Sequence, residues 1–339
     1  MPEASHDPSK VRLHVVTGKG GTGKTTVAAA LALALTRQGK RVLLAEVEGR
    51  QGISQTFDVP PLSHRETRIV HPRGGGELYG LSVDPKESLL EYLQKFYRAG
   101  RAGSVLERFG AIDFATTIAP GVRDVLLIGK VYEAAGRRAA RGQHEPVYDA
   151  VVLDAPPTGR VVRFLNVNAE VADVAKVGPI RTQADSITRM LRSHTTAVHV
   201  VTLLEEMPVQ ETVDALAELR RATLPVGAIV VNQVRDPLLS DDALTELALS
   251  KASKARTTRL SKAITADLER TGVRITANLV PGLLSDARDH ADRVALERDE
   301  DAILREEGRL MVRLPLLAEG TDSGGIAVLA DAVAEQGLV

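Results

Sequence analysis

The stretch GKGGTGKT, residues 18–25, gathers four glycines, two lysines and two threonines into a single turn. Gly18, Gly20, Gly21 and Gly23 leave the backbone without Cβ atoms, so several N–H groups can turn inward on one anion. The spacing G-x-x-x-x-G-K-[ST] is met by Gly18, Gly23, Lys24 and Thr25, and it describes a loop that cradles polyphosphate. An apolar run precedes the loop, and TTVAAALALAL follows at once. The positive end of a helix therefore adds to the same site. In that setting Lys24 reaches the β/γ-phosphate oxygens and the Thr25 hydroxyl ligates Mg2+. Thr22 and Thr26 fall inside the same cradle. The implied chemistry is the binding of ATP with Mg2+.

A carboxylate is needed opposite such a loop, and YDAVVLDAPPTGRVVRFL at 148–165 offers one. Asp154 ends an apolar run and is followed by a Pro- and Gly-rich turn. A carboxylate at a strand end is placed to hold Mg2+ through a bound water. Gly159 can turn its amide toward the γ-phosphate.

The elements that must position these groups are an alternation of apolar runs and helical stretches. Strands are expected at Val11–Thr17, Arg41–Glu46, Leu78–Val83, Tyr148–Asp154, Ala197–Leu204, Val226–Asn232, Val273–Val280 and Leu310–Leu314. Runs such as AVVLD and AIVVN are continuously apolar, as in strands covered on both faces. The expected fold is α/β: a mostly parallel sheet of about eight strands in one domain, 1–339. Helical insertions are expected at about 85–146 and 166–195. PRGGGE at 72–77 reads as a turn into a strand.

Composition narrows the function. The chain has 43 Lys+Arg against 44 Asp+Glu, a net charge of −1, unlike a protein that coats nucleic acid or an acidic membrane. Aromatics are only 3%, too few to build stacking platforms for single strands. Cysteine does not occur, which excludes a disulfide scaffold, an iron–sulfur cluster, a thiolate zinc site and a cysteine nucleophile. His64, His71, His194 and His199 lack metal-ligand spacing and read as structural or solvated. The segment MPEASHDPSKVR has no apolar signal region, and the amphipathic run Val27–Leu35 is too short to span a bilayer. The reading is a cytoplasmic protein.

KGGTGKT at 19–25 resembles the deviant loop of the dimeric ATPase class that includes ArsA, MinD, ParA and nitrogenase iron protein. In that class the extra lysine, here Lys19, crosses a dimer interface to the partner's nucleotide. The 148–165 stretch resembles switch II of the ArsA family, which includes the guided-entry ATPase that targets tail-anchored membrane proteins. ELYGLSVDPKESLLEYL at 77–93 and VGAIVVNQV at 226–234 resemble further strands of that family, with Asn232 as the adenine-contacting amide. VRLPLL at 312–317 resembles its last strand and adenine-proximal loop, which carries Pro315. The order matches over most of the chain.

Two departures stand out. Family switch I reads Asp-Pro-Ala-His, whereas this chain has LLAEVEGRQGIS at 43–54, so Glu48 stands where the water-orienting aspartate belongs. In switch II the family histidine becomes Arg160. The resemblance implies Lys19, Lys24, Glu48 and Asp154 as catalytic residues, and a homodimer or a heterodimer with a paralogous ATPase. Without cysteine neither the metalloid-thiolate site nor the zinc-bridging pair of the family can form. The protein partner is open, with membrane contact at most indirect. A nucleotide-gated targeting factor with slow turnover is the alternative, and four methionines support a greasy client groove only weakly.

Overall fold

The computed structural model describes residues 8–70, 75–88, 91, 120–139, 145–174, 179–318 and 320–339. The expected insertion at 85–146 therefore falls largely outside the described residues, as does Lys176. Among those described, eight strands form one sheet: β1 (Leu13–Gly18), β2 (Arg41–Glu46), β3 (Thr67–Val70), β4 (Glu77–Ser82), β5 (Ala150–Asp154), β6 (Thr196–Thr202), β7 (Val226–Val234) and β8 (Met311–Pro315). Their order is β3-β4-β2-β5-β1-β6-β7-β8. All neighbours are parallel except β3, which runs antiparallel to β4.

β1 lies between β5 and β6, and its six residues are all buried. The register sets Val16 beside Asp154, Asp154 beside Glu46, and Glu46 beside Ser82. Strand ends carrying polar groups thus meet along one carboxyl edge, the edge where open parallel sheets bind ligands.

Helix α1 (Lys24–Arg37) is buried continuously from Val27 to Thr36. The run Val27–Leu35, expected to be amphipathic, is covered on every side, because α10 (Ser323–Glu335) packs against it opposite the sheet. Small alanines at 28, 29, 30, 32 and 34 let both layers approach a helix with little entropy to lose. Between β2 and β3 lies the short α2 (Gly52–Thr56). α3 (Pro120–Gly136), α4 (Thr158–Val174) and α5 (Pro179–Leu191) follow. They bury Ile128, Val131, Val161, Phe164, Ala184, Ile187 and Leu191. α6 (Glu206–Arg221) connects β6 to β7.

The expected strand at Val273–Val280 is not one. Gly272, with φ +74°, closes α8 (Lys254–Arg270), and α9 (Leu279–Glu306) starts with Pro281 in its first turn. A left-handed glycine after a helix and a proline just inside the next are stop and start signals. They outweigh the β-branched residues between them. The strand overlooked instead is β3, a largely exposed edge with no apolar alternation to mark it.

The chain divides into two compact units. The first holds the sheet and comprises Met1–Leu203, Met207–Val234 and Gly308–Val339. The second comprises Leu204–Glu206 and Arg235–Glu307, and contains α7 (Asp241–Ser250), α8 and α9. Its core is Leu244, Leu247, Leu284, Ala291 and Val294. Ser240 and Ser253 cap α7 and α8, accepting from Ala243 N and Arg256 N. Arg288 donates to Ser250 Oγ at 3.0 Å and Thr257 Oγ1 at 2.6 Å, which fixes the corner between these helices.

Candidate functional site

The turn after β1 is built by contacts that tolerate no side chain at two positions. A Cβ on Gly18 would stand 2.2 Å from the Val201 carbonyl oxygen. Gly23 has φ +86°, and a Cβ there would stand 2.3 Å from Asn232 Nδ2. At Gly20 and Gly21 the protein's own packing makes no such demand. Both are exposed, and a Cβ on either would meet no protein atom within 4 Å. Gly21 still favours glycine through its φ of +90°, whereas Gly20 does not have a left-handed backbone. The protein's own packing thus demands glycine at the two ends of the loop and not at Gly20, because the crest carrying Gly20 and Gly21 faces away from the sheet.

Gly23 is also the N-cap of α1 and supplies no side-chain oxygen to its first amides, leaving those N–H groups directed at the loop's interior. The loop is tightened from within: Thr22 Oγ1 donates to the Lys19 carbonyl at 2.9 Å, and Lys24 Nζ donates to the same oxygen at 3.3 Å.

Thr25 Oγ1 donates to Asp154 Oδ2 at 2.6 Å. The two expected Mg2+ groups, one on α1 and one at the end of β5, are therefore in contact. Their donor set, a hydroxyl and a carboxylate oxygen, fits a small hard cation that retains bound water. Burial pushes the Asp154 carboxyl up to about 6, against the Thr25 hydrogen bond and the Lys24 charge, with Glu46 and Glu48 pushing further up. Burial lowers the Lys24 ammonium, while Asp154 and Glu48 draw it back up and Arg50 opposes them.

Glu48 joins this constellation from the β2 side. Its Oε1 lies 3.8 Å from Arg160 NH1 and its Oε2 3.5 Å from Arg50 NH2. The two residues that depart from the expected pattern, Glu48 and Arg160, thus face one another. Gly159 sits in the first turn of α4, where a Cβ would meet no protein atom within 4 Å. The turn before it is tied to β1, since Thr17 Oγ1 donates to the Pro156 carbonyl at 2.7 Å.

Asn232 is buried, and its Nδ2 donates to the Thr22 carbonyl at 2.9 Å. One amide hydrogen is thus committed to the loop itself, alongside the base contact expected for this residue. Pro315 lies at the end of β8, registered with Val234. It stands on the strand next to that of Asn232, and is exposed. His199 is buried, with Nε2 3.1 Å from His14 Nδ1, and its own Nδ1 accepts from Ala228 N at 3.1 Å. This pair belongs to the sheet interior. Among the described residues no group of three or more His, Cys, Asp or Glu is arranged to hold a metal, and no helix is long and apolar enough to cross a membrane.

Two residues of this region escape sequence reasoning. Glu46, buried at the end of β2, accepts from Gln51 N at 3.1 Å and Ser82 Oγ at 3.0 Å. It holds down the loop that carries Glu48, and a carboxylate closing the run RVLLAE was its signal. Glu211, on α6, forms an ion pair with Lys19 at 2.8 Å. It looks like any other charge on a helix surface, and nothing in the sequence marks it.

Comparison with known proteins gives the family. The family described as "Anion-transporting ATPase" matches residues 11–195, which takes in the phosphate loop, Glu48 and Asp154. "ATPase BagA" of Mycobacterium tuberculosis is 44% identical over 333 residues, covering 97% of this chain and 94% of its own. "ATPase GET3B" of Arabidopsis thaliana is 21% identical over 280 residues, covering 69% of this chain and 66% of that protein. With a family match over residues 11–195 and a relative 44% identical over nearly the whole chain, this chain belongs to the ArsA family of ATPases.

Proposed function

We propose that the protein is a Mg2+-dependent ATPase that works as a dimeric nucleotide switch coupled to a protein partner. The observation that carries this reading is the 2.6 Å contact between Thr25 and Asp154 beside Lys24, with Glu48 facing Arg160 across the two switch segments. The loop amides and the start of α1 bind the phosphates, and Lys24 leaves the Lys19 carbonyl to meet the β/γ oxygens. Thr25 and Asp154 would hold Mg2+, the latter through a bound water, and the ion would supply positive charge to the phosphates. Glu48 orients the attacking water and accepts its proton as the new P–O bond forms and the bond to the ADP oxygen breaks. Asn232 and Pro315, at the ends of adjacent strands, face the adenine. Loss of the γ-phosphate frees both switch segments at once, and their strand ends lie on one edge, so hydrolysis is converted into relative movement of two copies.

The pairing itself rests on Lys19. In the resemblance class this lysine reaches the partner copy's nucleotide, and here it lies on the loop with about a third of its side chain exposed. Sedimentation velocity of the Lys19→Ala protein tests the reading. It should bind ATP with Mg2+ but neither associate nor turn over. A Lys19→Ala protein that pairs and hydrolyses like the parent refutes the switch.

A further inference from the structure

Lys19 already has a partner within its own chain. Its Nζ lies 2.8 Å from Glu211 Oε1, and the second oxygen of that carboxylate accepts from Thr158 Oγ1 at 3.4 Å. Thr158 is buried and is the first residue of α4, the helix that follows the switch II turn. One carboxylate on α6 therefore fastens the phosphate loop to the switch II helix. The backbone of Lys19 is held separately, its carbonyl accepting from Thr22 and Lys24. Only the side chain has to move for the ammonium to change partners.

We infer that Glu211 is a positioning residue for Lys19, a latch that keeps the ammonium on its own subunit until a partner's nucleotide draws it across. The inference rests on the reading of Lys19 as acting in trans. The pair has the strength such a latch needs. Its side chains are 30% and 37% exposed, and ion pairs open to water are weak. It biases where the lysine points, yet yields to the charge of a triphosphate, which forms stronger charge-assisted hydrogen bonds. The latch also lies apart from the hydrolytic groups. Lys24 takes its electrostatic surroundings from Asp154, Glu48 and Arg50, so removing the Glu211 charge leaves those groups as they are. Since Glu211 also holds Thr158, the latch ties the loop to the start of α4 in the resting state. Release of Lys19 uncouples the two.

The test is a double-mutant cycle on the full chain, reading ATP- and Mg2+-dependent association by sedimentation velocity and turnover by phosphate release. Glu211→Gln keeps the shape and removes the charge. It should lower the protein concentration at half-association about two- to fivefold, the range an exposed pair supports, with kcat unchanged. Thr158→Val, which removes the hydroxyl that orients the carboxylate, should shift association in the same direction by less. In a Lys19→Ala background, Glu211→Gln should change nothing. If Lys19→Ala abolishes association while Glu211→Gln pairs at the parental concentration or more weakly, the latch is overturned and the trans role stands. If Lys19→Ala associates and turns over like the parent, both fall together. Thr158→Val carries the test alone should Glu211→Gln not fold.

Discussion

Replacing Asp154 with asparagine should make the nucleotide-free protein harder to unfold while it destroys function. The carboxyl has an ordinary value of 3.8 and is pushed up to about 6 in the fold. A folded value above the unfolded one means that charging the group opposes folding. Stability is therefore lost as pH rises from 3.8 toward 6, and the loss is complete above that window. The gap of about 2 pH units corresponds to about 3 kcal/mol at pH 7.5. Asparagine fills the same volume, and its Oδ1 still accepts the Thr25 hydroxyl. The attraction of Lys24 for the charged carboxylate is already contained in the folded value of about 6. The gain is therefore about 3 kcal/mol, which for a chain of 339 residues is a rise in Tm of about 4 °C. Calorimetry in buffer free of nucleotide and Mg2+ measures it at pH 7.5 and again at pH 4.5. The advantage over the parent should fall to about a third at the lower pH, where the parental carboxyl is already protonated in the fold. An Asp154→Asn protein that melts at or below the parental temperature at pH 7.5, or with an equal gap at both values, refutes the argument that burial dominates this group.

The phosphate loop itself gives a second expectation: Lys24→Ala should lose measurable ATP binding in isothermal titration, and unchanged affinity would exclude its role. Glu48→Gln should bind ATP normally and hydrolyse it about 10²-fold more slowly; parental turnover would pass water activation to another group. Gly23→Ala drives a Cβ to 2.3 Å from Asn232 Nδ2 at φ +86° and should cost about 1–3 kcal/mol in urea unfolding, with nucleotide binding lost too. Arsenite should not stimulate hydrolysis, because the chain has no cysteine and soft metalloids bind through thiolates; activation in a dose series would require a different ligand set.

The glycine-rich loop after β1 was legible because its pattern is local. Gly18 through Thr26 is contiguous, and at Gly18 and Gly23 only backbone without a Cβ can close so tight a turn. The sequence could not separate those two from Gly20, since what crowds them, Val201 and Asn232, comes from distant strands. Asp154 was legible for a different reason: a lone carboxylate ending a continuously apolar strand has few places to go except the carboxyl edge of a sheet. Alignment on β2 placed Glu48, and its proximity to Arg160 needed the fold. Glu211 could not be read at all, since its partners lie far off in the chain at Lys19 and Thr158. The false strand at Val273–Val280 shows the opposite failure. Val273, Ile275 and Val280 have the composition of a strand, but Gly272 and Pro281 set the backbone, and backbone conformation decides before side-chain preference. β3 was missed because an edge strand with polar residues on its surface has no periodic signal to give.

The path of the chain between β7 and β8 has a practical consequence for anyone who cuts this protein. The two strands are neighbours in the sheet, yet all of Arg235–Glu307 lies between them in sequence. A single protease cut in that span leaves a C-terminal fragment that still supplies β8 along β7 and packs α10 on α1, where Arg37 pairs with Asp331 and donates to the Ala327 carbonyl. Such a nick is silent on a native sizing column and shows only in denaturant. By the same logic, a truncation ending inside that span does not yield a smaller ATPase. It removes an outer strand and uncovers the apolar face of α1, turning a well-packed fold into an aggregation hazard.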